Sequence, residues 1–205
     1  MGAMAGFRAL AAVGRSIEAL LNRRFADEPL PADVQRPTAM LVRTEDFDRR
    51  NAPGATIIRP AVSLYCYRIS VDHESRSPWA AVTASDNIPR LPLRLHFLVS
   101  AWDGSVQREM EWLGLTARIL EAQSILTGDL LDPLTDWGPG ECIQIVTDDL
   151  ALDSMSEAFQ ALTTDYRLCL PYVARVVVVE GGAEPPAEPV ATVGAGFVQP
   201  QGGGP

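Results

Sequence analysis

The stretch from Leu91 to Trp102, LPLRLHFLVSAW, constrains the fold of this sequence more than any other. In an extended chain Leu91, Leu93, Leu95, Phe97 and Val99 fall on one face, and Arg94, His96, Ser100 and Trp102 on the other. That is the period-two pattern of a strand covered on one side. Such a strand needs partner strands and a helical cover for its apolar face. No cluster of catalytic residue types follows it, so the polar face carrying Arg94 and His96 reads as a contact surface.

Other segments supply the partners. Val62 to Ile69, VSLYCYRI, reads as a strand with Val62, Leu64 and Cys66 on one face and Ser63, Tyr65 and Tyr67 on the other. Thr38 to Val42, Cys142 to Val146 and Leu168 to Glu180 also read as strands. Pro171 cannot donate a ladder hydrogen bond, so it belongs at the start of its strand, at a bulge or on an edge. Phe7, Leu10, Ala11, Ile17, Leu20, Leu21 and Phe25 recur at helical spacing, predicting an amphipathic helix from about Met4 to Phe25, although Gly14 counts against an uninterrupted one. A second helix is expected from Val106 to about Leu126, ended by Gly128 and Asp129, with so little polar face that burial on more than one side follows. Ser154 and Glu157 fit a capping box opening a short helix to about Leu162.

Between Ser70 and Arg90 lies a long irregular loop carrying His73, Arg76 and Trp79. Loops of this length often carry function, and Trp and Arg dominate interface hot spots. Trp79 either plugs the loop onto the body or anchors a partner. The elements together predict an α+β fold, a small, mainly antiparallel sheet with helices packed on one face. Residues 1–180 form the domain, and residues 181–205, rich in glycine and proline, a flexible tail.

All 17 basic residues are arginines, set against 26 acidic ones for a net charge of −9, a balance that argues against nucleic-acid binding. Arginine without lysine reflects either GC-rich coding or guanidinium pairing at interfaces. The three cysteines, Cys66, Cys142 and Cys169, lack metal-site spacing and read as buried free thiols in a reducing compartment. Arg8, Arg15, Glu18, Arg23 and Arg24 interrupt the early apolar runs, so no secretory leader is expected, nor any membrane span. Gly6 stands where a myristoylation signal wants Ser or Thr.

Chemistry is hard to place. Only His73 and His96 are available as bases, and no GxSxG elbow occurs. His96 reads as a hydrogen-bonded structural residue and His73 as solvated. Asp129, Asp132 and Asp136, and again Asp148, Asp149 and Asp153, lack calcium-loop spacing and read as solvated loops and caps. Gly138 with Gly140, and Gly194 with Gly196, lack the context of phosphate loops. The expectation is a protein without catalytic residues, metal or cofactor.

Taken in order, VSLYCYRI, LPLRLHFLVSAW, EWLGLTARILEAQSILTG, CIQIVTDDL and YRLCLPYVARVVVVE resemble the amino-terminal domain of a known family. It is that of the cap, or tail-terminator, proteins of extracellular contractile injection systems, the phage-tail-like particles typified by the antifeeding prophage and the Photorhabdus virulence cassette. The family pattern has a LYR strand, a PLxLxLHFLxT-like strand, a helix with LG and a PIL-like end, and a closing strand with an aromatic residue. Here Val99-Ser100-Ala101 stands at the LxT position, and Ser124-Ile125-Leu126 lacks the proline. The resemblance implies a tail-terminator-like fold assembled as a hexameric ring. Such a ring caps the inner tube and last sheath layer distal to the baseplate, inside a particle built in the cytoplasm. An adaptor linking the particle to cargo, membrane or host factor is the alternative. Contacts with neighbouring subunits, tube or sheath are expected at Arg76, Trp79, Arg94, His96 and Arg175. The VARVVVV run, if unpaired, would offer an edge strand for β-augmentation.

Overall fold

The computed structural model describes residues 6–47, 57–76, 88–161 and 167–181. Helix α1 (Ala9–Asp27) precedes β1 (Thr38–Val42), the single turn α2 (Thr44–Phe47), β2 (Ala61–Val71), the single turn α3 (His73–Arg76) and β3 (Arg90–Trp102). Then come α4 (Val106–Ala122), β4 (Ile125–Thr127), a 3-10 turn at Gly128–Leu130, β5 (Cys142–Thr147), α5 (Leu152–Ala161) and β6 (Cys169–Glu180). The six strands form one sheet in the order β1-β2-β3-β6-β5-β4. Only β1 and β2 run parallel; every other neighbouring pair is antiparallel. The fold is therefore α+β with a mainly antiparallel sheet, as the patterning predicts.

The two long helices cover one face. Val13, Ile17, Leu20, Leu21 and Phe25 of α1 and Trp112, Leu113, Ile119 and Leu120 of α4 pack on Val62, Leu64, Leu95, Phe97, Val99, Ile143 and Ala174 of the strands. Gly14 leaves α1 unbroken. A Cβ there would stand 2.8 Å from a methyl of Leu41, so glycine lets the helix lie close over β1.

The opposite face is not bare. Phe47, Ile57, Ala61, Leu98, Trp102, Phe159 and Cys169 form a second core there, closed by α2 and α5. This corrects the reading of β3 as covered on one side. Ser100 and Trp102, expected on an open polar face, are buried. Burial is tolerated because the Trp102 indole N–H donates to Ser63 Oγ at 2.8 Å, whose hydroxyl donates to the Ser100 carbonyl at 3.3 Å. The Arg167 guanidinium stacks 3.9 Å from the Trp102 ring centre.

Several boundaries also differ. The helix expected from Met4 begins at Ala9, with residues 1–5 outside those described. Helix α4 stops at Ala122 because Gln123 leaves helical geometry (φ −131°, ψ 60°), and Ile125–Thr127 becomes a strand on β5. Met110 on that helix is exposed, so α4 buries one side only. Helix α5 starts at Leu152, placing Ser154 inside its first turn rather than at its cap. The VARVVVV run is not a free strand: β3 pairs with it along its length, β5 covers its other side at Val173, Ala174 and Arg175, and only Val177, Val178 and Val179 pair with β3 alone, while Pro171 sits near the start of β6.

Candidate interface on the second face of the sheet

Two β-bulges shape the polar part of the second face. In β2, Cys66 pairs with Phe97 but Arg68 with His96, so Tyr67 is an extra residue. Between Ala174 and Val177, β6 likewise carries one residue more than β3. Because side chains alternate with period two, an extra residue transfers all that follow to the other face. The β2 bulge thereby sets Ser70 opposite Arg94 and Arg68 opposite His96.

Of the residues singled out from sequence, Arg94, His96 and Arg175 converge here. Arg94 Nη2 donates to Asp72 Oδ1 and Glu74 Oε2, both at 2.8 Å. Arg175 Nη2 donates to the same Glu74 oxygen at 2.9 Å and lies 4.0 Å from Asp72 Oδ2. Two like charges on adjacent strands are thus held together by two carboxylates at the β2–α3 junction. The hydrogen bond to Asp72 first, together with the negative charge of Asp72 and Glu74, raises the Arg94 pKa against the opposing effect of burial. The Nε atoms of both arginines are buried without a hydrogen-bond partner. Arg76 closes α3, but its side chain, like Trp79 altogether, lies outside the described residues.

His96 belongs to a neighbouring network. Its Nε2 is 2.9 Å from Ser70 Oγ, and its Nδ1 is 2.9 Å from Asp148 Oδ2. The Tyr67 hydroxyl donates to the same Asp148 oxygen at 3.3 Å, and its ring meets the imidazole edge-on. Burial first, then the Asp148 charge, push the Tyr67 pKa up to about 12. The Asp148 N–H donates to the Pro171 carbonyl at 2.9 Å, fixing the carboxylate beside β6.

Sequence reasoning missed Ser70, Asp72, Glu74 and Asp148 as members of this site. Asp148 falls in a run whose spacing reads as solvated, and no signal short of the bulge brings Ser70 to His96. Asp132, from the other acidic cluster, is also not solvated. It accepts from Arg15 Nε and Nη2 at 3.0 and 2.7 Å and from Thr135 Oγ1 at 3.2 Å, while its N–H donates to Ser16 Oγ at 2.8 Å. Of the three thiols, Cys169 is buried, whereas Cys66 and Cys142 are half-buried. Burial raises the Cys66 pKa and pushes that of Cys169 up to about 11.

The outer side of β1 is a sheet edge, and α1 covers it. Asn22 Oδ1 accepts from the Ala39 N–H at 2.8 Å while Asn22 Nδ2 donates to the Ala39 carbonyl at 3.0 Å. One turn earlier, Glu18 Oε1 accepts from the Leu41 N–H at 3.4 Å. The Asn22 amide occupies the same two backbone groups that an added strand would use. Among the described residues no helix is long and apolar enough to cross a membrane, and no group of three His, Cys, Asp or Glu could hold a metal.

A search of curated protein sequences gives no match. Among solved structures, the chain is similar to the PVC sheath/tube terminator of an extracellular contractile injection system in its extended state, with 20% identity and a TM-score of 0.56 over 93% of this chain. It is also similar to the tube-terminating cap of the anti-feeding prophage, with 13% identity and a TM-score of 0.50 over 92% of this chain. The chain spans 63% and 60% of those two proteins. Residues 12–192 match the family described as the Pvc16 N-terminal domain, and this chain belongs to that family.

Proposed function

We propose that this chain is a structural cap of a contractile injection system, the tail terminator that ends inner-tube and sheath assembly distal to the baseplate. The observation that supports this most is the fold shared over 93% of the chain with a sheath/tube terminator. In this reading residues 1–180 form the capping domain and residues 181–205 a flexible arm; residues 182–205 lie outside those described. The subunits form a hexameric ring that contacts tube and sheath proteins and is assembled in the cytoplasm. Neither enzymatic turnover, cofactor nor nucleic acid is needed for capping, which is a matter of complementary surfaces. The second face offers arginines and carboxylates that can exchange partners across a subunit boundary. The sealed β1 edge fits a subunit that ends growth, because it withholds backbone groups from strand addition.

Two measurements test the proposal: electron microscopy of particles made without this protein, and the mass of the purified chain in solution. The expected results are tubes of irregular length with poorly held sheaths, and a ring-sized species. A monomer that never joins the tube, with particles of normal length and intact sheath in its absence, would overturn it.

A further inference from the structure

We propose that Ser70 is a base-activated nucleophile that accepts an acyl group from a small carboxylic ester, with His96 as its base and Asp148 as the positioning residue. This goes beyond the capping role, and neither reading depends on the other. Three elements supply the trio: β2, β3 and the segment following β5. The two ring nitrogens divide the work as nucleophile activation requires. Asp148 Oδ2 lies 2.9 Å from Nδ1, so the carboxylate accepts a hydrogen bond from Nδ1–H and leaves the Nε2 lone pair to accept from the Ser70 hydroxyl 2.9 Å away. A simple clamp would be served by either orientation of the ring. Tyr67 donates to the same carboxylate oxygen and packs on the imidazole, fixing both.

The β2 bulge makes the arrangement possible. Continued without the extra residue, the β2–β3 register would set Ser70 opposite Leu93, on the helix-covered face. Bulges commonly re-aim side chains in this way beside reactive sites. Ser70 is half-buried, between exposed Arg68 and Ile69 and buried Asp72, so a small ester can approach it from solvent.

In the step proposed, a bond forms from Ser70 Oγ to the ester carbonyl carbon as the hydroxyl proton passes to His96 Nε2, and the carbonyl π electrons move to oxygen. Collapse breaks the bond to the alkoxy oxygen, which leaves as the alcohol with the proton from Nε2, and Ser70 carries the acyl group. Asp148 stabilises the imidazolium between the two transfers. Arg94 stands opposite Ser70 in the ladder but is engaged by Asp72 and Glu74, so it is not assigned as an oxyanion donor. The acceleration is therefore mainly that of general-base catalysis, about 10²–10⁴-fold.

The test is to incubate the full chain with a reporter-tagged fluorophosphonate and, separately, with p-nitrophenyl acetate, locating adducts by peptide mass spectrometry. The expected result is modification at Ser70 well above that of exposed serines such as Ser105 and Ser154, and its loss in Ser70→Ala. In Asp148→Asn, labelling should slow by about a hundredfold or more, with part of the rate recovered in Asp148→Glu and melting temperatures recorded for each variant. Absence of an adduct at Ser70 in the unsubstituted protein would overturn the proposal without recourse to any variant. So would equal labelling rates in folded Asp148→Asn, which would leave the trio a structural clamp.

Discussion

Replacing Asn22 by leucine separates the sealing of the β1 edge from the packing of α1. Leucine has the same branched heavy-atom skeleton, though it is bulkier, and a better helix propensity, so the helix itself does not suffer. What is lost is the pair of bonds at 2.8 and 3.0 Å to the N–H and carbonyl of Ala39, a residue only 1% exposed. A buried backbone group left without a partner costs about 1–3 kcal/mol. With Asn22 itself half-buried, water can partly replace the amide, which places the total near the low end, at about 2–3 kcal/mol for the two groups. For a chain of this length that is a fall in Tm of roughly 4–12 °C. The second readout is association: an unsealed edge should recruit further strands, giving species in sedimentation that grow with concentration beyond those of the unsubstituted chain. Asn22→Asp keeps the acceptor for the Ala39 N–H but sets a carboxylate against the Ala39 carbonyl, so it should destabilise without restoring the seal. Arg23→Ala, on the neighbouring exposed position, is the control. If Asn22→Leu melts within a degree of the parent and sediments identically, the amide is not what closes the edge.

Three further outcomes follow from the same geometry. Phe159→Ala removes the large aromatic that α5 contributes to the second core, and should cost about 3–5 kcal/mol in urea unfolding; a loss under about 1 kcal/mol would show that face to be ordinary surface. Bonds from Arg15, first among its influences, hold the Asp132 carboxyl below the usual carboxylate range despite burial, so its contribution is present above the unfolded pKa of about 3.9 and lost as pH falls through the lower folded value. With Arg15 39% exposed and Asp132 7% exposed, solvent screening limits that contribution to about 1–2 kcal/mol. The stability gap to Asp132→Asn, measured by urea unfolding, should be flat from pH 7 to about 5 and close below about pH 4, and a gap that widens in acid would contradict the assignment. Glu74→Gln should change stability by less than about 1 kcal/mol, because Glu74 is 74% exposed, yet alter ring formation by releasing Arg94 and Arg175; unchanged assembly in mass photometry would remove this cluster from the interface.

The sheet was largely legible because its strands are rich in β-branched and aromatic residues that alternate cleanly. Thr38–Val42 has the bounds that its sequence predicts, and β3 differs by one residue. Strand β4 was illegible because Leu126 continues the apolar spacing of α4, and only the backbone turn at Gln123 separates them. The second core was hidden for a different reason. Leu98 and Trp102 share a face with Arg94, His96 and Ser100, and a mixed face reads as solvent-facing until Phe47 and Phe159, distant in sequence, are brought onto it.

The polar site is illegible for a reason that also explains its construction. Face assignment along a strand is a parity count, and a single bulge reverses the parity of everything beyond it. Counted without the bulge, Val62, Leu64 and Cys66 share a face with Arg68 and Ser70, and the sequence shows only a strand whose apolar pattern fades. With Tyr67 as the extra residue, Arg68 and Ser70 turn toward the face of His96 and Arg94, and the matching extra residue in β6 changes parity between Ala174 and Val177. The two irregularities flank β3 near His96 and Arg94. Strand β3 therefore serves two environments on this face: a closed core around Leu98 and Trp102, and a charged, hydrogen-bonded surface around Arg94 and His96. Tyr67 belongs to both, packing at the rim of the second core while its hydroxyl reaches Asp148. Any substitution that removes the bulge would thus alter the contact surface and Ser70 together, so point changes that leave the backbone register intact are the ones that can tell their roles apart.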